Sequence, residues 1–201
     1  MKTKSQWVEF FDRIISSESK HYLWLRSLSY LEYIGYRKMV KALEYQEVSR
    51  GVYHHLTDEI KHSYMLKELA EQELKYGGKA AFGKEFIDIA EAYFQDIDKE
   101  VKHWIEKETG RENPFICYTV VSYIIEKRAM LVYPNYFNSL RDTACKYIIQ
   151  KIIADEREHL NYLEEHLKLV PELSSLQSCH LWDYEDSRFR RYLEEFSTYS
   201  A

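Results

Sequence analysis

The stretch Asp58-Glu59-Ile60-Lys61-His62 recurs later in the chain as Asp155-Glu156-Arg157-Glu158-His159. Each copy sets a carboxylate and an imidazole three residues apart inside a helical apolar pattern. Positions i and i+3 project from one face of a helix. Glu59 with His62, and Glu156 with His159, can therefore grip one ion from one surface. Upstream of each copy a single glutamate interrupts an apolar stripe: Glu32, 27 positions before Glu59, and Glu126, 30 positions before Glu156. A carboxylate in such a stripe must be paired, metal-bound or protonated, because burying it bare is too costly. A chain with this constraint must bring four amphipathic surfaces together.

The remaining periodicity supplies those surfaces. Residues 18–47 read as a helix with His21, Leu25, Leu28, Glu32, Met39 and Leu43 on one side, after an N-cap region at Ser16-Ser17-Glu18. Residues 50–75 read as a second helix with Val52, Leu56, Glu59, Ser63, Leu66 and Ala70, ended by Tyr76-Gly77-Gly78. A turn near 46–48 puts Glu32 level with Glu59 and His62, since the residue counts on its two sides match at about 1.5 Å per residue. Residues 114–133 and 139–168 repeat the arrangement about a turn near 141, the former ending at Tyr133-Pro134. Residues 82–108 form a helical crossover between the two hairpins. A short amphipathic helix over 4–16 and a final one over the last twenty residues, after a loop from Pro171 to Gln177, complete an all-α chain.

Composition fits that picture and excludes other classes. Six Gly and three Pro in 201 residues leave few tight turns. A chain of this length supports one good core, so 1–201 is expected to be a single helical domain with its bundle at about 18–168 and an appendage at 172–201. Net charge −5 without a basic face gives no nucleic-acid footprint. Cys117, Cys145 and Cys179 are scattered and form no C-x-x-C, so a disulfide framework, a zinc knuckle or a rubredoxin-type iron site is not expected. The N-terminus lacks an apolar leader, and no stretch reaches transmembrane length. The expected location is the cytoplasm.

A lone E-x-x-H carries little weight. With 24 Glu and 8 His, roughly one arises by chance, and the chain has four. Glu18/His21 begins a helix, where an acid is favoured by the dipole alone. Glu100/His103 sits on the crossover with no matching hairpin. The other two are set apart by the preceding Asp and the upstream glutamate. Four helices then offer Glu32, Glu59, His62, Glu126, Glu156 and His159 to one centre, a known ligand set for two iron or manganese ions. The alternative is two buried, salt-bridged polar layers.

On these residues the chain resembles the ferritin-like di-iron carboxylate proteins over about 18–168. The D-E-x-x-H form is similar to the oxygen-activating branch, the bacterial multicomponent monooxygenases and the ribonucleotide reductase small subunit. The resemblance implies a ferritin-like four-helix bundle with those six residues as metal ligands, and Asp58 and Asp155 as partners of the ligand imidazoles. It also implies Glu32 and Glu126 as the carboxylates most free to shift during catalysis. His55, one turn before Glu59, resembles the extra histidine of di-iron arylamine N-oxygenases, though on the first motif rather than the second. It reads either as a further ligand or as a hydrogen-bonded neighbour. Tyr33, Tyr36, Tyr64 and Tyr123 lie within about a turn of ligand positions and serve hydrogen bonding, redox chemistry or packing.

The implied activity is oxidation or hydroxylation of a small organic substrate by a di-metal enzyme. It would use two Fe ions (or Mn/Fe), O2 and electrons from an external reductase or reductant, since no flavin or Fe–S motif is present. Iron handling or peroxide removal is a second reading, and a non-catalytic helical interaction protein a third. The aromatic C-terminal segment suits packing or a homodimer contact.

Overall fold

The computed structural model describes residues 4–44, 48–73 and 84–199. Among them every regular element is helical: α1 (Lys4–Ile15), α2 (Glu18–Leu43), α3 (Arg50–Glu73), α4 (Lys84–Thr109), α5 (Pro114–Ser139), α6 (Thr143–Leu167), a 3-10 segment (Pro171–Ser178) and α7 (Leu181–Tyr199). The helix starts are written locally. The side chains of Ser17, Asn113 and Asp142 accept from the backbone N–H groups of Lys20, Ile116 and Cys145. Each thereby satisfies one N–H that the first turn leaves orphaned. Gly110, at φ +70°, follows α4 in the left-handed region that glycine adopts without penalty.

α2 packs on α3, α3 on α6, α6 on α5, and α5 back on α2, closing a ring of four helices. The pairings run antiparallel. Ser29 and Ser63 donate to each other's backbone carbonyls at 2.7 Å, bringing α2 and α3 together across two small side chains. Tyr123 donates to Glu164 and Tyr136 contacts Cys145, which fixes α5 against α6. α4 lies across α2 and α5, and α7 packs on α4. At one end Phe11, Trp24, Tyr136 and Phe196 form a buried aromatic cluster that ties α1 and α7 to the ring. No helix among the described residues is long and apolar enough to cross a membrane.

Three local expectations change. α2 ends at Leu43, and the turn expected near 46–48 lies partly outside the described residues, as do Tyr76-Gly77-Gly78 and the start of the crossover at 82. Pro171–Ser178 is a 3-10 helix rather than a loop. α5 does not stop at Tyr133 but runs through Pro134 to Ser139. Proline removes one helical N–H and crowds the preceding turn. Here Tyr133, Tyr136 and Leu140 are all buried, so tertiary packing carries the helix through, and the Asn135 side chain donates to the Leu131 carbonyl at 2.7 Å.

Candidate metal centre

Glu32 on α2, Glu59 and His62 on α3, Glu126 on α5, and Glu156 and His159 on α6 are all buried and converge inside the ring. His55 joins them. One ligand-type atom each from His55, Glu59, Glu126 and His159 lie within 4.8 Å of one another, and so do those of Glu32, Glu59, His62 and Glu156. Glu59 belongs to both groups. Glu156 also reaches both, with Oε1 3.0 Å from His62 Nδ1 and Oε2 2.9 Å from His159 Nδ1. The arrangement is two adjacent positions joined by two carboxylates. Glu32 stands at one end, and Glu126 with His55 at the other.

Helical geometry explains the convergence. His55, Glu59 and His62 follow one another at i, i+4 and i+7, so α3 presents all three on one face. His55 Nε2 lies 2.7 Å from Glu126 and 3.1 Å from Glu59, and its ring stacks on His159 at 4.0 Å between centroids. α2 accepts Glu59 because Gly35 has no side chain: a Cβ there would lie 2.8 Å from Glu59 Oε2.

The two aspartates are engaged crosswise. His62 on α3 points Nε2 at Asp155 on α6, at 3.0 Å. His159 on α6 points Nε2 at Asp58 on α3, at 3.4 Å. Lys61 lies against both, 3.0 Å from Asp58 and 3.4 Å from Asp155. With each Nε2 donating outward, each Nδ1 is left facing the carboxylates.

Burying so much charge moves several of these titrations. Burial, then the Glu59 carboxylate, lifts Glu32 to about 8. Burial with Glu156 and Glu59 raises Glu126 well above the usual carboxylate range. Burial pushes Glu156 the same way, but the His62 and His159 cations outweigh it and hold Glu156 well below that range. Burial opposes a charge on either imidazole, yet Glu156 and Asp155 raise His62 far above its ordinary value, and Asp58 and Glu156 raise His159 to about 10. Asp58, hydrogen-bonded to His159, is lowered to about 2. Without metal, protons on the imidazoles and on the surplus carboxylates take the part of cations.

The donor set fits a metal pair. His62 Nδ1 and Glu156 Oε1 are buried and 3.0 Å apart, yet neither is aligned into a hydrogen bond. Buried polar atoms of this kind call for a partner. Four carboxylates balance two divalent cations, and nitrogen plus carboxylate oxygen suits Fe, Mn or Zn.

Tyr133 was hidden by the expectation that its helix ends there. Its hydroxyl donates to Glu32 Oε1 from α5. It stands seven residues after Glu126, on the same face, and that spacing was the available signal. Of the tyrosines singled out, Tyr64 is exposed and Tyr123 bonds Glu164. The rejected E-x-x-H pairs are not assembled: Glu18 is exposed while His21 is buried on Tyr136, and His103 is exposed while Glu100 accepts from His180. His54 is also exposed. Searches against protein-family models, curated proteins and solved structures find no match to this chain.

Proposed function

We propose that the protein is a di-metal oxidoreductase of the ferritin-like carboxylate type, which uses O2 to hydroxylate or oxidise a small organic molecule. The observation that carries this reading is the crosswise Asp–His pairing, which turns two buried imidazole Nδ1 atoms onto four convergent carboxylates. Glu32, Glu59, His62 and Glu156 would hold one metal, and His55, Glu59, Glu126 and His159 the other. Two bound irons, or a manganese–iron pair, supply the electrons and the Lewis acidity that O2 reduction needs.

The chain's own residues set the conditions. Asp58 and Asp155 fix the tautomer and raise the basicity of the imidazoles they hold. Glu32 and Glu126, the two carboxylates with raised pKa, shed their protons on metal binding and can take them up again beside the reacting groups. The Tyr133 hydroxyl holds the Glu32 carboxylate from α5 and offers it a proton donor. The ligand-type side chains are themselves buried, which limits their contact with bulk water. For hydroxylation the balance is R–H + O2 + 2 electrons + 2 protons → R–OH + H2O, the electrons arriving from an external reductant.

The test is metal analysis of purified protein, then anaerobic Fe(II) loading and an O2 pulse followed by optical absorption. The expected result is two metals per chain and a transient visible band. Two irons that oxidise without a transient would transfer the reading to iron oxidation or peroxide removal. No metal, with stability indifferent to Fe(II) and Mn(II), would overturn it.

A further inference from the structure

Two cavities reach the carboxylate centre, and they differ in size. One, of about 60 Å³, lies among α2, α4, α5 and α7 beside Glu32, walled by Leu28, Leu31, Val132 and Phe189. A single water needs roughly 10–15 Å³ of such space. That chamber suits water or a diatomic gas. The other, of about 450 Å³, opens between α2, α3, α4 and the first half of α5. Interiors as dense as crystals hold few voids larger than a water, and about 300–1,000 Å³ is the range of small-molecule sites.

Resting on the di-metal reading, we infer that the larger cavity is the substrate chamber and that it takes an uncharged, mainly apolar organic molecule carrying one hydrogen-bonding group. Its floor is His55, Glu59 and Glu126, which belong to the position at the His55 end of the centre. Its walls are apolar: Met39, Phe94, Val121 and Ile125, with the Cys117 thiol. At its mouth Lys38 is matched by Asp98 and Lys102 by Glu112 at 2.8 Å, and the exposed Lys41 is the third lysine of the rim. An anionic group carried into the cavity would meet the Glu59 and Glu126 carboxylates at its floor, and one left at the rim would compete with Asp98 and Glu112 for Lys38 and Lys102. The Tyr118 and Ser122 hydroxyls, on one turn of α5, supply hydrogen bonding inside. The buried end of the substrate is where the C–H bond is exchanged for C–OH, with the balance given above.

Gly35, Phe94 and Ile125 line both cavities. With Glu59 and Glu126, which also line both, they mark where the two cavities adjoin.

The probe is 1-naphthol, a neutral aromatic with one hydroxyl, against its charged counterpart 1-naphthalenesulfonate. Titration of the full chain should give one saturable 1-naphthol site, with the sulfonate about tenfold weaker or more. Val121→Trp should weaken 1-naphthol by a similar factor while Co(II) loading stays at two per chain. In wild-type protein bound 1-naphthol should slow alkylation of Cys117 but not of Cys179, which requires no variant to fold. Absence of a saturable site, equal binding of the sulfonate, undiminished binding to metal-loaded Val121→Trp, or no protection of Cys117 would each overturn the chamber. If Co(II) fails to bind but 1-naphthol binds and protects Cys117, the chamber stands as a ligand site and the di-metal reading falls.

Discussion

Glu126 and Arg128 stand two residues apart on α5 and enter two different buried polar clusters. Arg128 meets Glu185 of α7 bidentately, at 2.8 and 2.6 Å, and also Asp186 at 2.9 Å. Tyr93 adds a third hydrogen bond to Glu185 at 2.6 Å, and Phe189 covers the guanidinium at 4.6 Å. That cluster closes on itself, with the charge of Glu185 answered by a fixed cation and its oxygens by three donors. Glu126 enters a cluster that does not close. There, carboxylates outnumber the fixed cations, protons fill the deficit, and His62 Nδ1 and Glu156 Oε1 lack aligned partners. Two buried clusters on one helix thus separate an ion pair that staples α7 from a centre that keeps buried polar atoms without aligned partners.

That contrast breaks first on metal. Loading two sites at a thousandfold excess over Kd stabilises by about 4 kcal/mol each. At about 2–4 °C per kcal/mol for a chain of this size, the melting temperature should rise by about 15 °C or more. Calorimetry with and without chelator checks this, and an unchanged transition would equate the two clusters.

Arg128→Met should cost about 3–5 kcal/mol by leaving Glu185 buried without its cation. Metal stoichiometry should stay at two, so denaturant melts and metal analysis must dissociate. Glu126→Gln should do the reverse. Metal-free stability should hold, because Glu126 already carries a proton there and Gln is its neutral isostere, while Co(II) affinity drops by more than the roughly 10–100-fold that loss of an outer partner brings. Asp58→Asn, which removes such a partner, should fall within that range by the same titration.

The gentlest probe is pH. In the metal-free protein Glu32 keeps its proton to about pH 8 and His159 to about pH 10, both above their ordinary values. Stability from these groups is present at low pH and is lost as pH rises through those values. Co(II) binding displaces the same protons, so its affinity should increase over that range. A flat Co(II) affinity between pH 6 and 9 would contradict the assignment of Glu32.

What the sequence disclosed follows from how local each feature is. Glu59/His62 and Glu156/His159 were legible because the rise of one helix sets their spacing. Glu32 and Glu126 were legible because a carboxylate in an apolar stripe needs a reason. His55 was visible for the same helical reason, one turn before Glu59. Which aspartate holds which histidine was not legible, since it depends on α3 lying beside α6. Arg128 with Glu185, 57 residues apart, depends likewise on where α7 docks. The C-terminal aromatics Phe189, Tyr192 and Phe196 showed an amphipathic stripe without naming its partner, and in the structure they are buried within the chain. Tyr133 was lost to a local rule, the helix-breaking tendency of Pro134, that tertiary packing overrides.

The crosswise aspartates make the two hairpins depend on each other. Two similar hairpins invite the thought of one unit copied and joined. Yet α3 carries the brace for the histidine of α6, and α6 the brace for that of α3. A single hairpin would own a histidine whose support lies elsewhere. Either hairpin alone would lack the carboxylate that orients its histidine, so the two imidazoles are set only where the hairpins meet.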